Sequence, residues 1–340
     1  MKPHLIRLLS IIILLAILVY PSVAQSVQEP ILLALSKNDH TLAMINSVTL
    51  KVITRVRVGP DPHEVVASYD GKMAYVTNTG GGHSYEINII DLIAKKALPN
   101  LDTRPLIGPH GITFVAGKVW FSAEGTKSVG RFDPTTGKLD WSMGTGQDRT
   151  HMIYVTSDEK RIYTTNVNAG SVSILVDTLL PPLFPGAQPR RDWIQTIIPV
   201  SKGSEGFDVT PDGQQLWTVS GEDGVISVID LTAKKLAFVI DTKALGANRL
   251  KFTPDGKRVL ISTLRIGDLF IFDVASRKEL KRLTIGHGGA GILMDDAGSR
   301  AFVSCTPDNY VAVIDLRTLE VISHIDVGPG PDGLAWAIMH

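Results

Sequence analysis

Histidine and carboxylate side chains offer the most chemistry in this sequence. His63, His110 and His151 lie 47 and 41 residues apart, and Glu205 follows 54 residues further on. Neutral imidazole plus carboxylate is a competent ligand set for a divalent metal, the one cofactor these residues would take. None of the four has the short spacing of a metal motif held on a single element, so they meet only if a long repeat brings them together. The same repeat would add Arg149, Asn248, Arg249, His287 and Asp332 as ligand contacts. A plainer role is also open to all of them, which is to hydrogen-bond loop carbonyls around a narrow channel. No Ser/His/Asp or Cys/His arrangement can be assembled, and the lone Cys305 reads as a small buried hydrophobe on a strand. Gly80-Gly-Gly82 lacks the lysine and helix of a phosphate-binding loop and reads as a flexible loop.

The elements that must position these residues repeat along the chain. Met73-Ala-Tyr-Val-Thr-Asn78, Arg161-Ile-Tyr-Thr-Thr-Asn166, Gln215-Leu-Trp-Thr-Val-Ser220, Arg258-Val-Leu-Ile-Ser-Thr263 and Arg300-Ala-Phe-Val-Ser-Cys305 are short runs of aromatic and β-branched residues. Most follow a turn such as Tyr69-Asp-Gly-Lys72 or Pro254-Asp-Gly-Lys257, and Asp-Gly between alternating runs is a strong hairpin signal. A second alternating strand then ends in Asp, as in Val225-Ile-Ser-Val-Ile-Asp230 and Val311-Ala-Val-Ile-Asp315. That Asp can accept a hydrogen bond from the turn backbone two residues on.

The first position of the innermost strand is read as His63, His110, His151, Glu205, Asn248, Ala290 and Asp332, with separations of 47, 41, 54, 43, 42 and 42. Four strands per ~40–50 residues is the arithmetic of a propeller blade. Seven registers predict an all-β, seven-bladed β-propeller. The chain ends on a lone inner strand, Gly333-Leu-Ala-Trp-Ala337, and begins, after residue 24, with three strands that lack one. Joined, they make a composite closing blade that leaves no bare strand edge. This register puts His40, His63, His83, His110, His151 and His287 on one face of the disc, together with Glu64, Arg104 and Asp148. A residue at the channel mouth should bury little apolar area. Trp120, Trp141, Trp217 and Trp336 read as packing between blades.

Residues 1–24 read as a signal peptide: Lys2 and Arg7, an apolar run from Leu8 to Val19, then Pro21-Ser-Val-Ala24. That run is too short to cross a bilayer, which takes ~20 residues, so no membrane span is expected after cleavage. Residues 25–340 form the propeller, expected in the periplasm or secreted, and as a monomer. The whole chain carries 34 Lys+Arg against 34 Asp+Glu; removing Lys2 and Arg7 leaves 32 against 34. Without a basic field, nucleic acid is not an expected partner; a small molecule or a protein is.

Tyr75-Val-Thr-Asn78, its flanking turn and strand, and the Val58-Gly-Pro-Asp-Pro-His63 lead-in resemble the YVTN family of bacterial seven-bladed propellers. Pro109-His-Gly-Ile112, Val119-Trp-Phe-Ser122 and Val129-Gly-Arg-Phe-Asp133 are similar to blades of the virginiamycin B lyase propellers, a metal-assisted lyase family. The first resemblance implies a noncatalytic exported binding or scaffold propeller without fixing a ligand, and the repeat register puts the ligand site at the channel mouth. The second keeps open a metal-dependent lyase or lactone hydrolase that uses the channel histidines, with a carboxylate or Arg149 near the substrate. One departure from the repeat, Val176 to Asp192, carries four prolines and is expected to interrupt strand pairing on the opposite face. It would either pack on its own blade or offer Leu180, Leu183 and Phe184 to a partner.

Overall fold

The unbroken apolar runs in the middle of each repeat follow from strands that are covered on both faces. The computed structural model describes residues 29–338, which form 28 strands and two single-turn 3-10 segments. The strands pair into seven four-stranded antiparallel sheets, the seven-bladed propeller expected from the repeat. Blade 1 is the composite: Ile31–Ser36, Thr41–Asn46 and Val52–Arg57 pair with the inner strand Pro331–Ala337, with Ile31 opposite Ala337 and Leu32 opposite Trp336. Blades 2 to 7 open on the inner strands Pro62–Ala67, Pro109–Val115, Thr150–Val155, Ser204–Val209, Ala247–Phe252 and Gly289–Met294. Residues 1–24, read as a signal peptide, lie outside the described residues. No described helix is long and apolar enough to cross a membrane.

The core lies between blades. Leu33 and Leu35 of blade 1 pack on Val65 and Val76 of blade 2, while Leu32 and Ile45 face Phe302 and Val311 of blade 7. Middle strands therefore bury both faces, and every residue of Ile31–Ser36 is buried. Outer strands have one face in solvent and alternate, as Lys138–Gly144 does. Trp120 and Trp217 are buried, and Trp120, Trp141 and Trp193 form a run with centroids 5.4 and 5.1 Å apart. The turn chemistry is as the sequence suggests. Gly71 takes φ +68° in the Asp-Gly turn, and Asp230 accepts from the N–H groups of Thr232 (2.9 Å) and Ala233 (2.8 Å).

Three features of the inner strands bear on function. The residues read as opening these strands stand second in them, after Pro62, Pro109, Thr150, Ser204, Ala247, Gly289 and Pro331. Each inner strand also slips register across its second and third residues, as between Pro62 and Val65 or Ala247 and Leu250. A bulge re-aims side chains, so consecutive residues such as Asn248 and Arg249 both reach the channel. Finally, hydroxyls of one blade hold the next: Thr77 Oγ1 donates to the His110 carbonyl (2.6 Å), Thr165 to Glu205 (2.7 Å), Ser262 to Ala290 (2.6 Å) and Ser304 to Asp332 (2.6 Å), and Ser122 bonds the His151 carbonyl.

The third positions alternate in bulk: Gly333, Glu64, Gly111, Met152, Gly206, Arg249 and Gly291 in blades 1 to 7. A Cβ on Gly206 would lie 2.4 Å from the Asn248 carbonyl oxygen of the next blade, and one on Gly333 would lie 2.4 Å from that of His63. Glycine is required at both by the close approach of backbone.

The insertion corrects one expectation. Pairing is not interrupted at Val176 but continues to Leu180 opposite Arg190, because all four prolines fall between those two residues. The hairpin projects rather than packing on its blade: Leu183 is 74% and Phe184 66% exposed. Replacing residues 181–189 with Asn-Gly should therefore shift the melting temperature by no more than ~2 °C, since closing a shorter loop between paired strands costs little. A drop beyond ~5 °C in a calorimetric scan would show that the tip is part of the body.

Candidate metal and ligand site at the channel mouth

The register gathers His63, His110 and His151 of blades 2, 3 and 4 side by side. Ring centroids are 4.6 Å apart for the first pair and 3.8 Å for the second. With Lys37, Arg149, Glu205, Asn248, Arg249 and Asp332 they line a cavity of about 320 Å³. The expectation of lightly buried mouth residues fails for two of them, because His110 is 2% and His151 1% exposed. Both rings stand at the bulges of their inner strands, and Glu124, in the loop between the second and third strands of blade 3, contacts His151.

Burial has chemical consequences. His110 Nδ1 and His151 Nε2 are buried and make no hydrogen bond. Burial pushes the His110 pKa well below its ordinary 6.5, and the neighbouring His151, His63, Arg249 and Lys37 push it the same way. Its imidazole is therefore held neutral, the form that binds a metal. His151 is braced by two carboxylates: Nδ1 bonds Glu124, and Nε2 lies 3.3 Å from Glu205 Oε1. Burial raises the pKa of Glu124, but the hydrogen bond to His151 and the charges of His151 and Arg149 outweigh it, leaving the group below the usual carboxylate value. Glu205 is likewise lowered, against burial, by His151, Arg249 and Arg149 and by the hydrogen bond from Asn248.

The remaining charges are paired. Arg249 Nη2 lies 2.5 Å from Glu64 Oε1, a bridge between blades 2 and 6 that braces the channel across its width. Burial opposes the charge on Arg249, yet Glu64, Asp332 and Glu205 raise its pKa above the ordinary value. Lys37 Nζ meets Asp332 at 2.7 Å. Arg149 spans Glu124 (3.4 Å) and Glu205 (3.1 Å), the same two carboxylates that brace His151.

No family model and no curated protein matches the sequence. Solved structures do match its shape. Kuenenia stuttgartiensis hydrazine synthase superposes with a TM-score of 0.66 at 16% identity, over 81% of this chain and 89% of that one. A Bacteroides uniformis protein described as a "putative 6-phosphogluconolactonase" gives 0.72 at 15%, over 91% and 100%. A Bacteroides fragilis protein described in the same words gives 0.71 at 15%, over 93% and 99%. The likeness is one of fold.

Among the sequence-derived metal candidates, the tightest set differs in membership. His110 and His151 offer ligand atoms that, with Glu124, all lie within 4.8 Å of one another. His63 stands beside them with its nitrogens engaged, Nε2 by Asp61 (3.0 Å) and Nδ1 by Lys37 (3.3 Å). Glu205 touches the set through His151. Of the ligand-contact candidates, Arg149, Asn248, Arg249 and Asp332 line the cavity. His287 does not: its side chain is 85% exposed and bonds Asp308 (2.6 Å). Arg104 and Asp148 pair outside the cavity with Asp102 and Lys127. Glu124 and Lys37 are the residues that reading the sequence missed. Both follow a second strand, in a loop type already assigned to this face, which was the available signal.

Proposed function

We propose that this protein is an exported propeller that binds a small polar ligand at the mouth of its central channel, around a divalent cation held by His110, Glu124 and His151. One observation carries the reading: two buried imidazoles and a carboxylate held below its usual pKa bring their ligand atoms within 4.8 Å of one another, and His110 Nδ1 has no partner there. Unpaired buried polar atoms cost ~1–3 kcal/mol each, and a bound cation would recover that cost. Glu205, 3.3 Å from His151 Nε2, fits the carboxylate that orients a ligating ring from outside the ligand set. Export rests on the signal-like residues 1–24, and the YVTN reading rests on Tyr75-Val-Thr-Asn78 and its flanks. Elemental analysis after chelation and reloading with Zn²⁺ or Mn²⁺ should find one metal per chain. A protein that takes up none at micromolar metal overturns the cation.

A metal-dependent lactone hydrolase or lyase is the second reading. His151 between two carboxylates, next to Arg149, supplies the acid and base groups such a reaction needs. The description carried by the two Bacteroides propellers suggests the first substrate class to try. Hydrolysis of gluconolactone above the spontaneous rate, abolished by chelation, would select this reading over simple binding.

A further inference from the structure

We propose that Arg149 is the oxyanion-recognising residue of the channel mouth, so that the ligand carries a phosphate or carboxylate group; this deepens the binding reading above and rests on it. The argument starts from the backbone. In six blades the residue just before the inner strand takes a left-handed conformation. Four blades use glycine there: Gly108, Gly203, Gly246 and Gly330, with φ between +70° and +76°. Two do not: Asp61 (φ +54°) and Arg149 (φ +55°). A residue with a Cβ is strained in this conformation, so both side chains sit where the fold alone would be better served by glycine.

Asp61 has an internal use. It bonds His63 Nε2 (3.0 Å) and the Gly81 N–H (3.1 Å), which locks the loop and the ring in place. Arg149 has a weaker one. It contacts Glu124 through Nε (3.4 Å) and Glu205 through Nη2 (3.1 Å), and its Nη1 makes no hydrogen bond among the described residues. Its side chain lines the cavity and is 40% exposed, whereas Arg249 is buried and spent on Glu64 and Asn248. Arg149 is thus the cavity-lining guanidinium that is part-exposed and keeps a free donor. A planar fork presenting N–H donors suits a phosphate or carboxylate held in two-point contact. His110, with its unpaired Nδ1, lines the same cavity, so an oxyanion entering here meets the arginine and the candidate cation together.

The test titrates the full mature chain with inorganic phosphate in one arm and acetate in the other, each with and without Mn²⁺. Saturable binding of at least one anion to the wild type is expected, and the responding arm tells phosphate from carboxylate. Arg149→Gly should weaken that binding at least tenfold while the melting temperature stays level or rises, because glycine relieves the backbone. Arg149→Lys, which keeps the charge but not the fork, should fall between, and it decides the matter if the glycine variant does not fold. Unchanged anion affinity in these variants, or no saturable binding of either anion to the wild type, overturns the proposal. Metal uptake is measured separately. If the wild type takes up none, the cation reading fails, while the metal-free arms still decide Arg149.

Discussion

A chain ending at Val327 should not fold to a stable monomer. The cut removes the inner strand Pro331–Ala337 of blade 1, the one blade built from both ends of the sequence. Ile31–Ser36 would lose its hydrogen-bonded neighbour and become an inner edge facing the channel. Leu32, Leu33 and Leu35, all fully buried, would lose cover, at ~1.5–3 kcal/mol for each side chain left fully exposed. Full exposure of the three would cost ~4.5–9 kcal/mol, comparable with the lower half of the ~5–15 kcal/mol of a typical domain. The cut also removes Asp332, whose carbonyl receives the Ser304 hydroxyl, so blade 7 loses that hydrogen bond to blade 1. Gel filtration and thermal melting should show aggregation or a lost transition. A truncated chain that is monomeric and as heat-stable as the parent would refute the closure argument.

His110→Ala should abolish stoichiometric metal with only a modest change in melting temperature. Loss of an outer-shell partner of a metal ligand costs ~10–100-fold in affinity, so loss of a direct ligand should cost more. Stability moves in two directions. The substitution removes packing between the His63 and His151 rings, and it also removes a buried nitrogen that has no partner. Each is worth ~1–3 kcal/mol, and they oppose. The pH dependence of the chelated protein provides a second readout. Because the folded His110 pKa lies below its ordinary 6.5, the unfolded chain binds more protons as the pH falls past that value. Stability should therefore decline with acid from about pH 6.5 downward, and the variant should lose that part of the slope. A variant that keeps its metal, or has the wild-type acid profile, would assign His110 a purely structural role.

Much of the scaffold is legible in local chemistry. Asp-Gly turns, strand-end Asp residues and alternating runs each act within a few residues, so they survive being read one at a time. The histidine register was legible for the same reason, since a fixed period places equivalent residues at equivalent points on the ring. The misses arise where non-local packing decides direction. Glu124 and Lys37 reach the site from loops whose path depends on neighbouring blades. His287 stands in a loop of the predicted face, yet its bond to Asp308 holds it outward. The burial of His110 and His151 follows from bulged inner strands, which no alternating pattern reveals. In the insertion, the prolines mark where pairing stops but not how far it runs before reaching them.

Small and large residues can alternate around a closed circle only when the circle has an even number of members. With seven, the two-colour pattern is frustrated and must repeat once. Here the repeat is Gly291 beside Gly333, where the last blade meets the composite one. Ala290 precedes Gly291, so both residues aimed toward the axis from blade 7 are small. On that side Leu264, Ala290 and Thr306 form the cavity wall. The three neighbouring imidazoles stand in blades 2 to 4. An odd blade count thus gives the mouth two unlike arcs: imidazole rings crowd one, and small and uncharged side chains line part of the arc at the chain's seam.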